Sequence, residues 1–121
     1  MEYIQYIIIA LLVIFLLQRV LPPKGVRQIS ISDLKGELVN KDKQFIDVRT
    51  PGEFKGNHIK AFKNIPLHQL SDKANKDLSN ENEVIVICQS GMRSQKASKI
   101  LKKMGFTKVT NVKGGMGAWF N

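Results

Sequence analysis

An uncharged apolar run at the start of the chain constrains the fold more than any other feature. Residues 3–18 carry no charged side chain, and further apolar residues extend the run to position 21. A helix that spans a bilayer needs roughly 17–25 such residues. The run has no polar face, which argues against an amphipathic surface helix, and the prolines at 22–23 end it. We predict one transmembrane helix over 3–21 and a linker over 22–27.

Two other interpretations of this run stay open. A cleaved signal peptide carries positive charge before its apolar run and small residues after it, whereas Glu2 precedes this run and Leu21-Pro22-Pro23 follows it. A buried core helix is the second alternative, although the rest of the chain contains enough apolar residues for a core of its own.

The flanking charges predict how the helix is oriented. No lysine or arginine precedes the run, whereas Arg19, Lys24 and Arg27 lie at or just after its end. Because positive flanks stay on the cytoplasmic side, we predict a single-pass protein of the cell membrane with its C-terminal domain in the cytoplasm.

Composition limits what that domain can be. A chain of 121 residues with 43% hydrophobic and 24% charged residues is typical of one folded domain rather than of a disordered chain. The single cysteine excludes an intrachain disulfide and a zinc site built on several cysteines. The formal net charge of +9 favours small anions or anionic lipids as partners. No nucleic-acid motif accompanies the charge, so we expect no nucleic-acid partner.

Short apolar stretches alternate with helical patterns along the rest of the chain. The clearest strand is the β-branched run at 84–88, and a helix is predicted from Ser94 to Met104 with Gly105 ending it. Ser32 is the predicted cap of an earlier helix. Further strands are predicted at 26–31, 44–48 and 108–112. This alternation indicates an α/β fold with a parallel sheet flanked by helices.

Cys88 lies where such a fold places its chemistry. It is the last residue of the predicted central strand, and ligands of open α/β sheets bind beyond the carboxyl ends of the strands. The tight loop to the next helix can form a nest of N–H groups, with Gly91 allowing the turn and Arg93 adding a cation. These features favour a thiolate nucleophile, although a buried cysteine can also serve as a small apolar residue.

Four segments then resemble rhodanese-type sulfurtransferases. Cys88-Gln89-Ser90-Gly91-Met92-Arg93-Ser94 is similar to the family's active-site loop, C-x-x-G-x-R-[ST]. The other three are Asp47 to Phe54, His58-Ile59 with Asn64 to Leu67, and Gly114 to Trp119. They occur in the family's order, and the whole chain resembles a membrane-anchored, single-domain bacterial rhodanese. Asn57 and Lys60-Ala61-Phe62 depart from the family's usual Gly and Pro-Gly-Ala.

The resemblance implies a rhodanese domain over 28–121 that acts as a thiosulfate sulfurtransferase. Cys88 would carry sulfane sulfur as a persulfide, from a small anionic donor such as thiosulfate to a thiol or protein-cysteine acceptor. The loop residues would bind the substrate, namely Gln89, Ser90, Gly91, Met92, Arg93 and Ser94. No metal or cofactor is implied.

Several alternatives accompany this hypothesis. A cysteine phosphatase loop has five residues between cysteine and arginine, whereas four separate Cys88 from Arg93. A membrane-tethered docking module without turnover is the main rival function. Asp47 is expected either to orient Arg93 or a loop N–H, or to form a turn. Arg49 is expected to pair with Glu53, four residues on, or to line the pocket mouth.

Overall fold

A computed structural model describes residues 2–21 and 23–119 of the chain. Pro22 of the predicted linker and the last two residues of the predicted domain lie outside the described residues. The described part contains a five-stranded sheet in which every pairing is parallel. Its strands are β1 (Val26–Ile29), β2 (Gln44–Asp47), β3 (Lys63–Asn64), β4 (Val84–Ile87) and β5 (Val109–Val112), in the order β1-β5-β4-β2-β3. The predicted parallel α/β fold is confirmed.

Strand β4 occupies the centre of the sheet because its side chains suit burial on both faces. All four of its residues are β-branched and fully buried. Val84 and Val86 contribute to one core, whereas Ile85 and Ile87 contribute to the core on the opposite face. The alternation along a strand thus divides the apolar residues between two layers.

Helices cover both faces of the sheet. Helix α2 (Ile31–Glu37) packs on the face of Ile85 and Ile87 through Ile31 and Leu34. Helices α4 (Leu70–Asp77) and α5 (Met92–Lys103) pack on the other face. The short α3 (Pro51–Gly56) follows β2, and single turns of 3₁₀ helix lie at Leu67–Gln69 and Gly115–Ala118.

The N-terminal helix α1 (Glu2–Val20) stands apart from both cores. Its window Glu2–Arg19 is long and apolar enough to cross a membrane, and none of it is buried within the molecule. The alternative of a buried core helix is therefore wrong. A membrane span and a signal sequence both remain compatible with such a helix near the N-terminus.

Two predicted helix starts are wrong by about two residues. The cap of α2 is Ser30 rather than Ser32, since the Asp33 N–H donates to Ser30 Oγ at 3.1 Å and the Asp33 carboxylate accepts from the Ser30 N–H. Helix α5 begins at Met92 rather than at Ser94, and Gly91 occupies the cap position. The predicted end of α5 is confirmed, as Gly105 follows it in the left-handed region.

Candidate active site

The candidate nucleophile lies just beyond the carboxyl end of the central strand. Ile87 is paired in register with Asp47, and Cys88 is the next residue along the chain. Its side chain is fully buried. The sulfur therefore lies beneath the rim of its loop, and a reagent must reach down to it.

Two groups from the start of α5 contact this sulfur. The Gly91 N–H donates to Cys88 Sγ at 2.9 Å, and Ser94 Oγ lies 3.3 Å from the same atom. Gly91 takes a φ of +102°, which glycine adopts without strain and which turns its N–H toward the sulfur. The sequence predicted a nest of several N–H groups. Within the described residues, one backbone N–H contacts the sulfur, and a side-chain hydroxyl is the second group.

The Ser94 hydroxyl can respond to the charge on Cys88. It donates to the Gly91 carbonyl at 3.1 Å, which leaves its oxygen free to accept from the thiol. Once the thiol loses its proton, the same hydroxyl can turn and donate to the anionic sulfur. Charge-assisted hydrogen bonds are roughly twice as strong as neutral ones, so this exchange favours the thiolate.

We expect Ser94→Ala to slow the alkylation of Cys88 by about threefold to tenfold, because one stabilising donor of the thiolate is lost. The rate is measured by intact mass during reaction with iodoacetamide. Ser98→Ala is the matched control, since Ser98 Oγ lies one turn further along α5 and donates to the Ser94 carbonyl at 2.7 Å. Equal slowing in both variants would contradict a direct role of the Ser94 hydroxyl.

Arg93 is held by a carboxylate that the sequence analysis assigned elsewhere. Its two terminal nitrogens donate to the two Glu53 oxygens at 2.7 and 2.9 Å, in a bidentate pair that is about one third exposed. Glu53 also accepts from the Thr50 N–H and completes a capping box at the start of α3. The Arg93 guanidinium, with help from the Thr50 N–H, lowers the pKa of Glu53 to about 2. The predicted Arg49–Glu53 pair is wrong.

This pKa gives Glu53→Gln a defined effect on stability. The folded pKa lies below the ordinary value of 4.5, so the ion pair stabilises the fold fully above pH 4.5, and the contribution is lost as pH falls toward 2. We expect the variant to lose about 0.5–1 kcal/mol at neutral pH, because the pair is partly solvent-screened. The difference from wild type should shrink as the pH falls below 4.5.

Thermal melts of both proteins between pH 7 and 2.5 measure this difference. Glu81→Gln is the matched control, because it removes an exposed carboxylate without arginine contact in the part of the chain that the structure describes. A difference that stays constant over the whole pH range would contradict the assigned pair.

Asp47 and Arg49 form a second, fully buried pair beneath the loop. The Arg49 guanidinium donates to both Asp47 oxygens at 2.9–3.1 Å, and Arg49 N–H donates to Asp47 Oδ1 at 3.0 Å. Arg49 Nη1 also donates to Gln89 Oε1 at 3.3 Å. Asp47 therefore does not orient Arg93, whereas the alternative expectation of a turn-forming Asp is confirmed, since its carboxylate accepts from the backbone N–H two residues on. Asp47 orients Arg49, which in turn contacts the loop.

The segment Gly114 to Trp119, called the glycine segment below, supports the loop from its other side. The Met116 N–H donates to the Cys88 carbonyl at 2.8 Å, and the Gly117 N–H donates to the Gln89 carbonyl at 2.9 Å. A Cβ atom at Gly115 would stand 2.2 Å from the Cys88 carbonyl oxygen. The backbones of Gly115 and Cys88 therefore approach more closely than any residue with a Cβ atom would allow.

The family assignment agrees with this geometry. The family model described as "Rhodanese-like domain" matches residues 30–121, which include strands β2 to β5, the loop around Cys88 and the glycine segment. The chain belongs to the rhodanese-like family. The rhodanese-like domain protein of Staphylococcus aureus, a solved structure, is 32% identical, with a TM-score of 0.72 over 79% of this chain and 93% of that one.

Two curated bacterial relatives are also similar to the rhodanese-like domain. Uncharacterized protein YqhL of Bacillus subtilis is 43% identical over 76 residues, which cover 63% of this chain and 60% of that protein. Thiosulfate sulfurtransferase PspE of Escherichia coli is 34% identical over 71 residues, covering 58% of this chain and 68% of that protein. The chain thus spans less than two thirds of the first relative's length.

The rhodanese-like loop brings some of the expected residues together and leaves others at its surface. Gly91 and Ser94 contact the sulfur, whereas the side chains of Gln89, Ser90 and Met92 are exposed on the rim. Arg93 is engaged by Glu53 rather than directed at Cys88. In the described part of the chain, no group of three or more His, Cys, Asp or Glu side chains could hold a metal ion.

Glu53 is the residue of this site that sequence reasoning misplaced. Its distance of four residues from Arg49 suggested a local pair, whereas its true partner lies forty residues away. The available signal was the capping box Thr50-x-x-Glu53, which fixes Glu53 at the start of α3 and hence at the carboxyl edge of the sheet. Arg93 follows the neighbouring strand β4 at the same edge.

Proposed function

We propose that this rhodanese-like domain is a sulfurtransferase of the thiosulfate type, with Cys88 as the sulfur carrier. The observation that carries the proposal is the sulfur of Cys88 at the carboxyl end of β4, contacted by the Gly91 N–H and the Ser94 hydroxyl. Both groups stabilise negative charge on sulfur, which is what a thiolate and an anionic persulfide require. The Escherichia coli relative named as a thiosulfate sulfurtransferase supports thiosulfate as the donor class.

The first step loads sulfur onto the enzyme. The Cys88 thiolate attacks the outer sulfur of thiosulfate, a new S–S bond forms, and the S–S bond of the donor breaks. Its electron pair leaves with sulfite, and Cys88 becomes an anionic persulfide. The full burial of Cys88 favours a small donor, because a bulky one would not pass the exposed rim.

The second step unloads the sulfur. A persulfide S–S bond places the outer sulfur about 2 Å beyond Sγ, toward the loop rim. A small thiol or a protein cysteine then attacks this outer sulfur, and the Cys88 thiolate leaves. No metal or cofactor takes part, since each step exchanges one S–S bond for another or for an S–acceptor bond.

The electrostatics favour anionic donors through the domain as a whole. Glu53 largely offsets the charge of Arg93, so Arg93 alone is a weak attractor. The formal net charge of +9 on the chain supplies a broad positive potential for a dianion. Arg93 instead fixes the edge of the loop through its bidentate pair.

The proposal extends to location. Helix α1 would cross the cell membrane once, and the domain would face the cytoplasm because the basic flank Arg19, Lys24 and Arg27 follows the helix. A reducing cytoplasm suits a domain that works through a single free thiol.

Sulfur loading is tested on the detergent-solubilised full chain. We expect incubation with thiosulfate to add one sulfur atom to the intact mass, and dithiothreitol to remove it. Release of sulfite in equal amount confirms the balance of the step. A folded protein with an alkylatable Cys88 that gains no sulfur would show that thiosulfate is not a donor, and other persulfide donors would then be compared.

A further inference from the structure

We infer that the amino end of the sheet, where four of the five strands begin, rests on the anionic surface of the membrane, so that the catalytic loop faces away from the lipid. The inference rests on the proposed membrane span of α1. It commits to anionic lipid headgroups as the partner of this end. It also implies that donor and acceptor reach Cys88 from the aqueous side.

Helix α1 and the residues that follow it, called the tether here, join the domain at the amino end of the sheet. Because every pairing is parallel, β1, β2, β4 and β5 begin at one end of the sheet, where Val26, Val109, Val84 and Gln44 share one row of the register. The chain arriving from α1 enters at this row. Cys88 follows the opposite row, about 13 Å away, since a strand rises about 3.3 Å per residue.

The chain between α1 and β1 is short, which disfavours placing the catalytic end of the domain on the membrane. Residues 21–25 separate α1 from β1, and five fully extended residues span at most about 18 Å. Part of that reach is used by a turn at Lys24 and Gly25, where Gly25 has a φ of +77°. Placing the catalytic end on the bilayer would require the chain to run back at least about 13 Å along the domain, which is most of that reach before the turn is counted.

The surface of the amino end suits anionic headgroups. Helices α4 and α5 run antiparallel to the strands, so their last residues lie at this end. Arg27 and Lys43 at this end pair with Glu37 and Glu83. The other exposed or half-buried lysines there are Lys24, Lys41, Lys76, Lys102, Lys103 and Lys108. In the described residues these six lysines form no salt bridge with a carboxylate. The remaining acidic residues of this end are Asp42, Asp77 and Glu81, of which Asp77 lies 3.7 Å from Lys63.

An exposed apolar side chain lies at the same end. Val39 follows α2 and is 84% exposed. Lysines and an exposed apolar residue at one end of a domain match a headgroup layer, where the cations meet phosphate and the apolar side chain reaches the acyl boundary. The catalytic end is also basic and exposes Met92 at 79%, so composition alone does not choose between the ends. The tether does.

The two ends of α2 provide a matched test. Ser32 lies in the first turn of α2 at the catalytic end, and Val39 lies just past its last turn, about 10 Å away along the helix axis. Both are exposed. Single-cysteine chains, Ser32→Cys and Val39→Cys in a Cys88→Ser background, are labelled with a fluorophore. The full chains are placed in nanodiscs of phosphatidylcholine and phosphatidylglycerol that contain headgroup-nitroxide lipid.

We expect the nitroxide to quench position 39 at least about fivefold more than position 32, and less in nanodiscs without anionic lipid. Charge reversal at the membrane end, Lys103→Glu with Lys108→Glu, should weaken quenching at position 39. Lys96→Glu with Lys113→Glu is the matched control, since it changes α5 and the edge of β5 at their opposite ends and should leave this quenching unchanged.

Equal quenching at the two positions, a reversed order, or no quenching at either would overturn the inference. Co-elution of the chain with the nanodisc checks the membrane span separately, and its failure overturns both statements. Sulfur loading of the chain with Cys88 intact is an independent measurement. A failed orientation with intact loading therefore leaves the proposed chemistry standing.

Discussion

Replacing Cys88 by serine is expected to abolish sulfur loading and to lower turnover at least about a thousandfold, equivalent to about 4 kcal/mol of transition-state stabilisation. A hydroxyl cannot form the persulfide on which both proposed steps depend, and at neutral pH it is a far weaker nucleophile than a thiolate. Intact mass after thiosulfate treatment and a sulfite-release assay measure the two losses.

The same variant should fold normally. Cys88 is fully buried, but serine is nearly the same size, and its oxygen can accept from the Gly91 N–H in place of Sγ. We expect a change in unfolding free energy of no more than about 1 kcal/mol. A melting temperature near that of wild type, combined with lost loading, assigns the loss to chemistry rather than to the fold.

This variant also separates the enzyme from the docking module. A cell that depends on the chain should lose that function with Cys88→Ser if sulfur transfer is the activity. Full function of the serine variant in the cell would instead favour a docking role, since the fold and its surfaces would be intact.

Local pattern was enough to predict the parts of the fold that depend on burial and backbone conformation. The β-branched run of β4 indicated a strand buried on both faces. Cys88, which directly follows this strand, indicated the edge of the sheet that carries the active site. Gly105 signalled the left-handed residue that ends α5, and it has a positive φ. These features are encoded within a few residues and need no tertiary information.

Ion-pair partners were the features that local pattern did not predict. Spacing of four residues suggested Arg49 with Glu53, but Arg49 turns back to Asp47 in a buried pair and Glu53 crosses to Arg93. Which carboxylate pairs with which arginine depends on β2 and β4 lying side by side in the sheet. These two strands are not consecutive in the chain, so the sequence order does not reveal that they are neighbours.

The support of the nucleophile was likewise only partly predictable. A loop before a helix N-terminus suggested many N–H donors, yet the start of α5 at Met92 places Ser94 in its first turn and turns the hydroxyl inward. A shift of two residues in a helix start rotates the side chains of the first turn by about 200°. That shift places Ser94 inside the first turn, where its hydroxyl contacts the sulfur, in agreement with the expectation that Ser94 belongs to the binding loop.

Gly115→Ala is expected to have the second large effect, although residue 115 lies twenty-seven positions beyond Cys88 in the chain. The new Cβ would lie 2.2 Å from the Cys88 carbonyl oxygen and 2.8 Å from the Gln89 carbonyl carbon. Both neighbours are backbone atoms, so no side chain can rotate away. The φ of +54° at this position adds strain for any residue with a Cβ.

The segment must therefore move away from the loop. That movement breaks the hydrogen bonds from Met116 and Gly117 to the Cys88 and Gln89 carbonyls, and it releases the backbone that holds the sulfur near the Gly91 N–H. We expect a loss of about 2–4 kcal/mol in unfolding free energy, from overpacking and lost buried hydrogen bonds. The sulfur-loading rate of the remaining folded protein should fall at least about tenfold, because misplacement by about 1 Å is costly in a preorganised site.

Gly36→Ala is the matched control for this substitution. Gly36 lies within α2, a Cβ there would meet nothing within 4 Å, and its φ is not positive. Alanine at this position should raise helix stability by up to about 1 kcal/mol and leave loading unchanged. Chemical denaturation should give opposite signs for the same added methyl group in the two variants, and the loading rate should fall only in Gly115→Ala. Wild-type stability and loading in Gly115→Ala would show that the glycine segment is not what holds the catalytic loop in place.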